Sequence, residues 1–449
     1  MSIHIVGIIG LVLVFLIGAL RPINIGTLSL VMTFLVGAIF VGEGVKDMYS
    51  GFPVDLFVLL AGVTYLFAIA VSNGTVGRIV EGTARLVKGR RALIPWIVFV
   101  VAALPAMAGA LGSAGVALLA PLSLRLAQRY DIDRRMIGLM VVHGTASGNF
   151  SPLNVLGAIV TQAVARGGLE MSSSALFLGN LAYNVALGAV IYLVFGGPRL
   201  SRREAKNPQS DLADAGAAVS ASGAHGFEVS PADATHDAPP DLAEQGEQRA
   251  GRPGADQVCT LIALLAVAVA ALVFGLNIGF LAFAAAAALH LIFPASSREA
   301  DKKIAWSVVL LVCGIVTYVA ALQRYGTVEA VGDGIAGLGS PLVTGLLICV
   351  VGAITSAFAS SAGILGAMIP LAIPVMARGE IGTTGLVVAL AISATVVDST
   401  PFSTVGALVV ANAEDEERPR VYRGLLLWGA AMVVTAPLLT WLIFIVSAA

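Results

Sequence analysis

Charge is scarce in this chain. Only 12% of its 449 residues are Asp, Glu, Lys or Arg, against roughly 25% in an ordinary soluble protein. Its 26 Lys and Arg stand against 27 Asp and Glu, for a net charge of -1. No global positive field therefore exists to hold a nucleic-acid backbone, and nucleic acid is excluded as a partner. Cysteine is scarcer still. Cys259, Cys313 and Cys349 lie far apart in apolar runs, without the close pairing of metal or redox motifs, and read as small buried hydrophobes.

What fills the chain is apolar, 58% of it. These residues gather into runs of about 17–25, the length a helix needs to cross roughly 30 Å of hydrocarbon. The expectation is an all-α polytopic membrane protein with the lipid bilayer as partner. Runs fall at 3–20, 26–42, 54–72, 93–128, 136–165 and 174–196, then at 258–275, 277–293, 306–323, 341–377, 383–412 and 422–447. Ile3 to Leu20 has no basic residue before it and no small-residue cleavage site after it, so it reads as a span and not a signal peptide. Between the two sets of six lies 198–256, rich in Ala, Asp, Pro, Gly and Ser. Such a segment cannot bury enough apolar surface to offset its ordering entropy. The expected domains are a first repeat at 1–197, a disordered cytoplasmic linker at 198–256 and a second repeat at 257–449.

The two sets also match in sequence and in register, the sign of an internal repeat. Asn24-Ile25-Gly26 returns as Asn277-Ile278-Gly279, and Thr64-Tyr65 as Thr317-Tyr318. Gly74-Thr75-Val76 returns as Gly326-Thr327-Val328, and Ser113-Ala114-Gly115 as Ser361-Ala362-Gly363. Ser151-Pro152 with Gly157-Ala158 returns as Thr400-Pro401 with Gly406-Ala407.

In each half the fourth run is interrupted by small polar residues, GALGSAGVALL and SAFASSAGILG, which suits a re-entrant helical hairpin (93–128 and 341–377). The fifth is interrupted at HGTASGNFSPLN and VVDSTPFST, which suits a helix broken in mid-membrane (136–165 and 383–412). Each half then crosses five times, and an odd number of crossings turns one half over relative to the other. The predicted fold is two inverted repeats of five transmembrane helices, each with a re-entrant hairpin and a broken helix. With the amino terminus outside, this count leaves only Lys46, Arg166, Arg324 and Arg378 on the outer face and puts every other Lys and Arg inside, as the positive-inside rule asks. Reading both hairpins as full spans scatters the same basic clusters over both faces. After the third run, VGRIVEGTARLVKGRR alternates apolar and basic residues at helical spacing, as an interfacial helix does, with a counterpart at 327–338.

Two broken helices and two hairpin tips related in this way meet near the midplane, where secondary transporters place their sites. Free N–H groups at the start of each second half-helix attract anions, and free C=O groups at the end of each first half attract cations. One candidate site joins Gly112, Ser113 and Ala114 at the first tip with Gly148, Asn149, Ser151, Pro152 and Asn154. The other joins Ser360, Ser361 and Ala362 with Asp398, Ser399, Thr400, Pro401 and Ser403. Isolated small and hydroxyl residues merely let membrane helices pack closely, but Ser/Thr-Pro pairs at matching positions in both halves point beyond packing. A carboxylate in an apolar segment is costly and marks function. Asp398 is therefore read, with Gly148, Asn149 and Ser399, as the Na⁺ or proton coupling group, with helix capping as the alternative. His143 reads as hydrogen-bonded structure before proton carrier, and Asp55 receives no role. No Arg or Lys falls inside, so a substrate anion must be held by hydroxyls, amides and helix N-termini. That suits a small, well-hydrated carboxylate and not an aromatic or lipid ligand.

At these residues the sequence resembles the ion transporter superfamily, most closely the MatC-type dicarboxylate (malonate) carriers, relatives of the divalent anion:sodium symporters. The resemblance spans nearly everything outside 198–256 and is strongest over 1–165, including YSGFPVDLFVLLAG and HGTASGNFSPLNVLGAIV. Ser151-Pro152-Leu153-Asn154 and Thr400-Pro401-Phe402-Ser403 follow the family's Thr/Ser-Pro-Pro-Asn motif with one and two changes. The family's Ser-Asn-Thr tip lies ten residues before a Pro. Counting back from Pro121 and Pro370 puts Leu111-Gly112-Ser113 and Ser360-Ser361-Ala362 there. The resemblance implies a scaffold domain, a mobile transport domain, a homodimer formed through the scaffold, and elevator-like alternating access. The expected function is a bacterial-type inner-membrane carrier of a small dicarboxylate, malonate or a C4 acid. It would need no cofactor beyond Na⁺ or H⁺ as coupling ion. Other readings stay open: an oxyanion or arsenite carrier, a cation/proton antiporter, or a polytopic membrane enzyme with Asp398 and His143 as acid and base. An enzyme, however, has no need of two inverted copies of one broken-helix motif.

Overall fold

The computed structural model describes residues 2–21, 23–76, 78, 91–200, 254–274, 276–328, 330, 340–357, 361–379 and 381–448. The interfacial helix expected after the third run, its counterpart and most of the linker therefore fall outside the described residues, as does Ser360.

Among the described residues the chain is helical throughout, without strands, and its longer helices come in two series of eight. The first comprises α1 (Ile3–Leu20), α2 (Ile25–Leu35), α3 (Val54–Ser72), α4 (Ile94–Met107), α5 (Gly112–Arg129), α6 (Arg134–Ser147), α7 (Val155–Arg166) and α8 (Ser173–Val194). The second comprises α9 (Ala255–Phe274), α10 (Ile278–Ile292), α11 (Trp306–Arg324), α12 (Pro341–Ser356), α13 (Ser361–Ala377), α14 (Thr383–Val396), α15 (Thr404–Ala411) and α16 (Arg418–Thr440). Among the described residues, five helical stretches are long and apolar enough to cross a membrane: Val54–Ser72, Ser173–Val194, Trp306–Arg324, Thr383–Ala411, which includes a break, and Arg418–Ile445.

Each helix in one series corresponds to the helix eight places on, and contacts between the halves come in exchanged pairs. α2 packs on α11 and α10 on α3; α5 packs on α15 and α13 on α7; α8 packs on α14 and α16 on α6. The repeated Asn-Ile-Gly motif acts in the first of these pairs. Asn24 caps α2 by accepting from the Gly26 N–H at 2.9 Å, and Asn277 caps α10 by accepting from the Phe280 N–H at 3.2 Å. The glycine at the second position of each helix is a crossing point. A Cβ on Gly279 would lie 2.7 Å from the Leu59 Cα of α3, and one on Gly26 would collide with the Leu310 carbonyl of α11. A methyl group at either would force the helices apart in a close-packed interior.

At one end of the molecule, ion pairs join the starts of α6 and α16. Asp133 holds Arg135 at 2.7 Å and Arg420 at 3.5 Å, and Arg134 lies 3.5 Å from Glu414. The positive-inside count had placed these basic residues on one face. Elsewhere, the Arg166 that count left outside pairs with Asp55, and Arg324 pairs with Glu43 at 2.9 Å.

Candidate functional site

The runs expected to be interrupted are interrupted. Helix α4 stops at Met107 and α5 starts at Gly112, with Gly109 in the turn at φ 110°, a backbone that favours glycine. Helix α6 stops at Ser147 and α7 starts at Val155, while α14 ends in a 3₁₀ turn, Val397–Ser399, before α15.

The same bonds hold both breaks. Ser151 Oγ donates to the Met107 carbonyl at 2.7 Å, and Thr400 Oγ1 donates to the Ala357 carbonyl at 3.1 Å. The hydroxyl before each proline thus ties its broken helix to the end of the preceding α4 or α12. Asn154 caps α7 by accepting from the Leu156 N–H at 2.9 Å. Its amide also donates to the Ala106 and Ala110 carbonyls at 2.8 and 3.0 Å. Ser403 caps α15 by accepting from the Gly406 N–H at 3.0 Å. The repeated glycines explain themselves here. A Cβ on Gly157 would lie 2.8 Å from the Ser151 carbonyl oxygen, and one on Gly406 would collide with the Thr400 carbonyl.

Between the two breaks lies a cavity of about 90 Å³, room for several waters. Gly112 and Ser113, Ser361 and Ala362, Leu156, and Thr404 and Val405 line it. Each stands in the first two residues of α5, α13, α7 or α15, so four helix N-termini converge on one small space. Their partial positive charge favours an anion. No Lys, Arg or His lines the cavity among the described residues.

The ends of α6 and α14 supply the other polar groups. Asn149 Oδ1 and Thr145 Oγ1 are buried without a hydrogen-bond partner among the described residues, and both residues line the cavity. Leaving such groups unmade costs roughly 1–3 kcal/mol each, a cost that a ligand bonding to them removes. Opposite, Asp398 Oδ2 accepts from Ser361 Oγ at 2.6 Å. Asn149 and Asp398 occupy equivalent places in the repeat.

Six of the residues expected from sequence therefore line one cavity: Gly112, Ser113, Asn149, Ser361, Ala362 and Asp398. The two sites read separately come together as one. Ser151, Asn154, Thr400 and Ser403 instead spend their polar atoms on the breaks, and Ser399 donates to the Val396 carbonyl at 2.8 Å. Gly148 packs against α4, where a Cβ would lie 2.7 Å from the Met107 nitrogen. Ala114 and Pro152 are exposed, and Pro401 is buried in its turn. Thr145, Thr395 and Thr404 line the cavity without having been singled out. Thr145 and Thr395 lie one helical turn before Asn149 and Asp398, the spacing that places side chains on one face. His143 keeps both ring nitrogens occupied, Nδ1 with Asn184 at 3.0 Å and Nε2 with Trp428 at 2.9 Å.

Residues 1–149 match the family described as dicarboxylate carrier protein MatC N-terminus. The chain is a membrane transporter, not an enzyme. That match covers the amino-terminal third, and the apolar helices agree with a place in a membrane. No curated protein matches the sequence. Among solved structures, the fold is similar to that of the YdaH transporter of Alcanivorax borkumensis, described as having an unusual topology. The TM-score is 0.60 at 15% identity, covering 96% of this chain and 98% of that one. At that identity the likeness speaks for the fold alone.

Proposed function

We propose that the chain is a secondary active carrier of a small dicarboxylate, malonate first and C4 acids next, driven by Na⁺ or H⁺ across a bacterial-type inner membrane. The observation that carries this reading is the cavity. It offers an anion four helix N-termini and the Thr145 hydroxyl, which has no partner among the described residues, beside the likewise unpartnered Asn149 amide oxygen and one carboxylate able to hold a cation or a proton. A carboxylate ligand would take the backbone N–H groups of Ser113 and Ser361, the hydroxyls of Ser113 and Thr145 and the amide N–H of Asn149. Asp398 then balances charge when the coupling cation arrives. A site without fixed side-chain cations binds moderately and releases, as a carrier must.

In this reading α4 with α5 and α12 with α13 are re-entrant hairpins, the halves are inverted, and the amino terminus is outside. The helices carrying the cavity move as a transport domain against a dimeric scaffold built on α1–α3 and α9–α11. Exchanged helix contacts between the halves support the symmetry.

The test is uptake of labelled malonate into proteoliposomes under a Na⁺ gradient and, separately, a pH gradient, with succinate, malate, citrate and acetate as competitors. Uptake under one gradient identifies the carrier and its ion together. No uptake under either, with no competitor effect, moves the substrate outside the dicarboxylates.

A further inference from the structure

Helix α8 carries Asn180 and Asn184, both fully buried, and neither lines the cavity. They belong to a hydrogen-bond chain with one direction. It starts at Trp428 in α16, whose indole N–H can only donate, and which donates to His143 Nε2 at 2.9 Å. The proton of His143 is thereby left on Nδ1, which donates to Asn184 Oδ1 at 3.0 Å. Asn184 Nδ2 donates in turn to the backbone carbonyl and to Oδ1 of Asn180, each at 3.0 Å. With its own Oδ1 engaged, Asn180 directs its amide hydrogens to the carbonyls of Ala146 and Ser147, at 2.8 and 3.2 Å. A donor-only indole in one half thus fixes a tautomer and two amide orientations in the other.

The two carbonyls at the end of this chain are the last of α6. There a helix presents unsatisfied C=O groups and partial negative charge, beside the cavity-lining Thr145 and Asn149. A bound cation is one way to neutralise such an end, and Asn180 already supplies two N–H donors. The other half is built differently. In α16, Gly429 packs on the Thr400 backbone, with Thr400 Cα 3.0 Å from where a Cβ would stand. There the charged group is Asp398.

The geometry points to Asn180 as a positioning residue whose amide stands in for a cation at the end of α6. The first half then holds Thr145 and Asn149 toward the cavity without an ion, and the coupling cation is confined to the Asp398 side. The inference rests on the transport reading above.

The test uses the full chain with Asn180→Ala and Asn180→Asp, with Na⁺ and Li⁺ as probes against choline. Wild type should show a one-site cation dependence of uptake. Asn180→Ala should raise KM at low cation by at least roughly tenfold, about 1.4 kcal/mol of binding. Added Na⁺ should restore it along a steeper, two-site curve, with maximal rate little changed. Asn180→Asp, of the same volume, should show the steeper curve at lower Na⁺ and carries the test if the alanine variant does not fold. Folded variants with wild-type KM and cation dependence overturn the proposal, and so does a loss that no cation restores. Melting temperature against Na⁺ concentration decides independently of substrate. If no chain takes up malonate, the transport reading fails, yet steeper Na⁺ stabilisation of both variants still upholds the role of Asn180, and equal slopes refute it.

Discussion

Ser361, the first residue of α13, donates its hydroxyl to Asp398 across 2.6 Å, closing the start of one helix onto the end of another at the cavity wall. Ser361 Oγ also lies 3.1 Å from Ser356 Oγ, so the carboxylate is held by a short run of hydroxyls and leaves its other oxygen for an incoming ion. Asp398→Asn keeps an acceptor for Ser361 and removes the charge. Concentrative uptake should fall about tenfold or more, the equivalent of 1.4 kcal/mol, while exchange of labelled for unlabelled substrate persists. Unchanged rate and unchanged cation dependence would remove Asp398 from coupling.

Thr145→Val separates binding from stability because the two should move in opposite directions. The Thr145 hydroxyl is buried and has no partner among the described residues, so an isosteric methyl relieves an unmet desolvation cost of roughly 1–3 kcal/mol. The melting temperature of the empty protein should hold or rise while the KM for substrate increases. A fall in melting temperature with unaltered KM refutes a substrate role for this hydroxyl.

Gly157→Ala and Gly406→Ala test whether the two breaks are built alike. Each adds a methyl where a carbonyl of the same break stands, an overpacking worth about 1–3 kcal/mol. Both variants should unfold at lower temperature, Gly406→Ala the more so because its neighbour is closer. Equal stability to wild type would mean that the breaks relax more readily than their backbone contacts indicate.

Asp133, in the loop before α6, predicts a pH dependence. Burial raises its pKa, but the Arg135 side chain and N–H, with Arg135 and Arg420 charges nearby, outweigh this and hold it below the ordinary 3.8. A carboxyl with a depressed folded-state pKa adds stability above the ordinary value and loses it as pH falls through the lowered one. Wild type should therefore lose melting temperature on acidification below about pH 4, and Asp133→Asn should start lower at neutral pH and lose less. Parallel melting curves against pH would show that Asp133 contributes nothing.

Much of the fold was legible because membrane helices declare themselves by length and apolarity. The runs at 3–20 and 54–72 coincide with α1 and α3, where no polar residue interrupts the pattern decisively. The breaks were legible from Gly, Pro and hydroxyl residues that oppose a continuous helix. The division of labour inside them was not. Asn154 and Ser403 sit at positions where capping a helix and touching a ligand demand the same residue type, and only their hydrogen bonds show that they cap. Asn180 gave no signal either, because its partners, Ala146 and Ser147, lie more than thirty positions away in sequence.

The convergence of four helix N-termini on a cavity without basic side chains also determines what acidity can do to the site. Peptide dipoles have no proton to gain or lose, so the attraction they exert on an anion is the same on both sides of a membrane, whatever the pH difference. In the reading proposed above, a pH gradient then acts through the protonation of the cargo or of Asp398. Among the described residues that line the cavity, Asp398 alone carries a titratable carboxyl, set in an electrostatic mould that pH leaves unchanged.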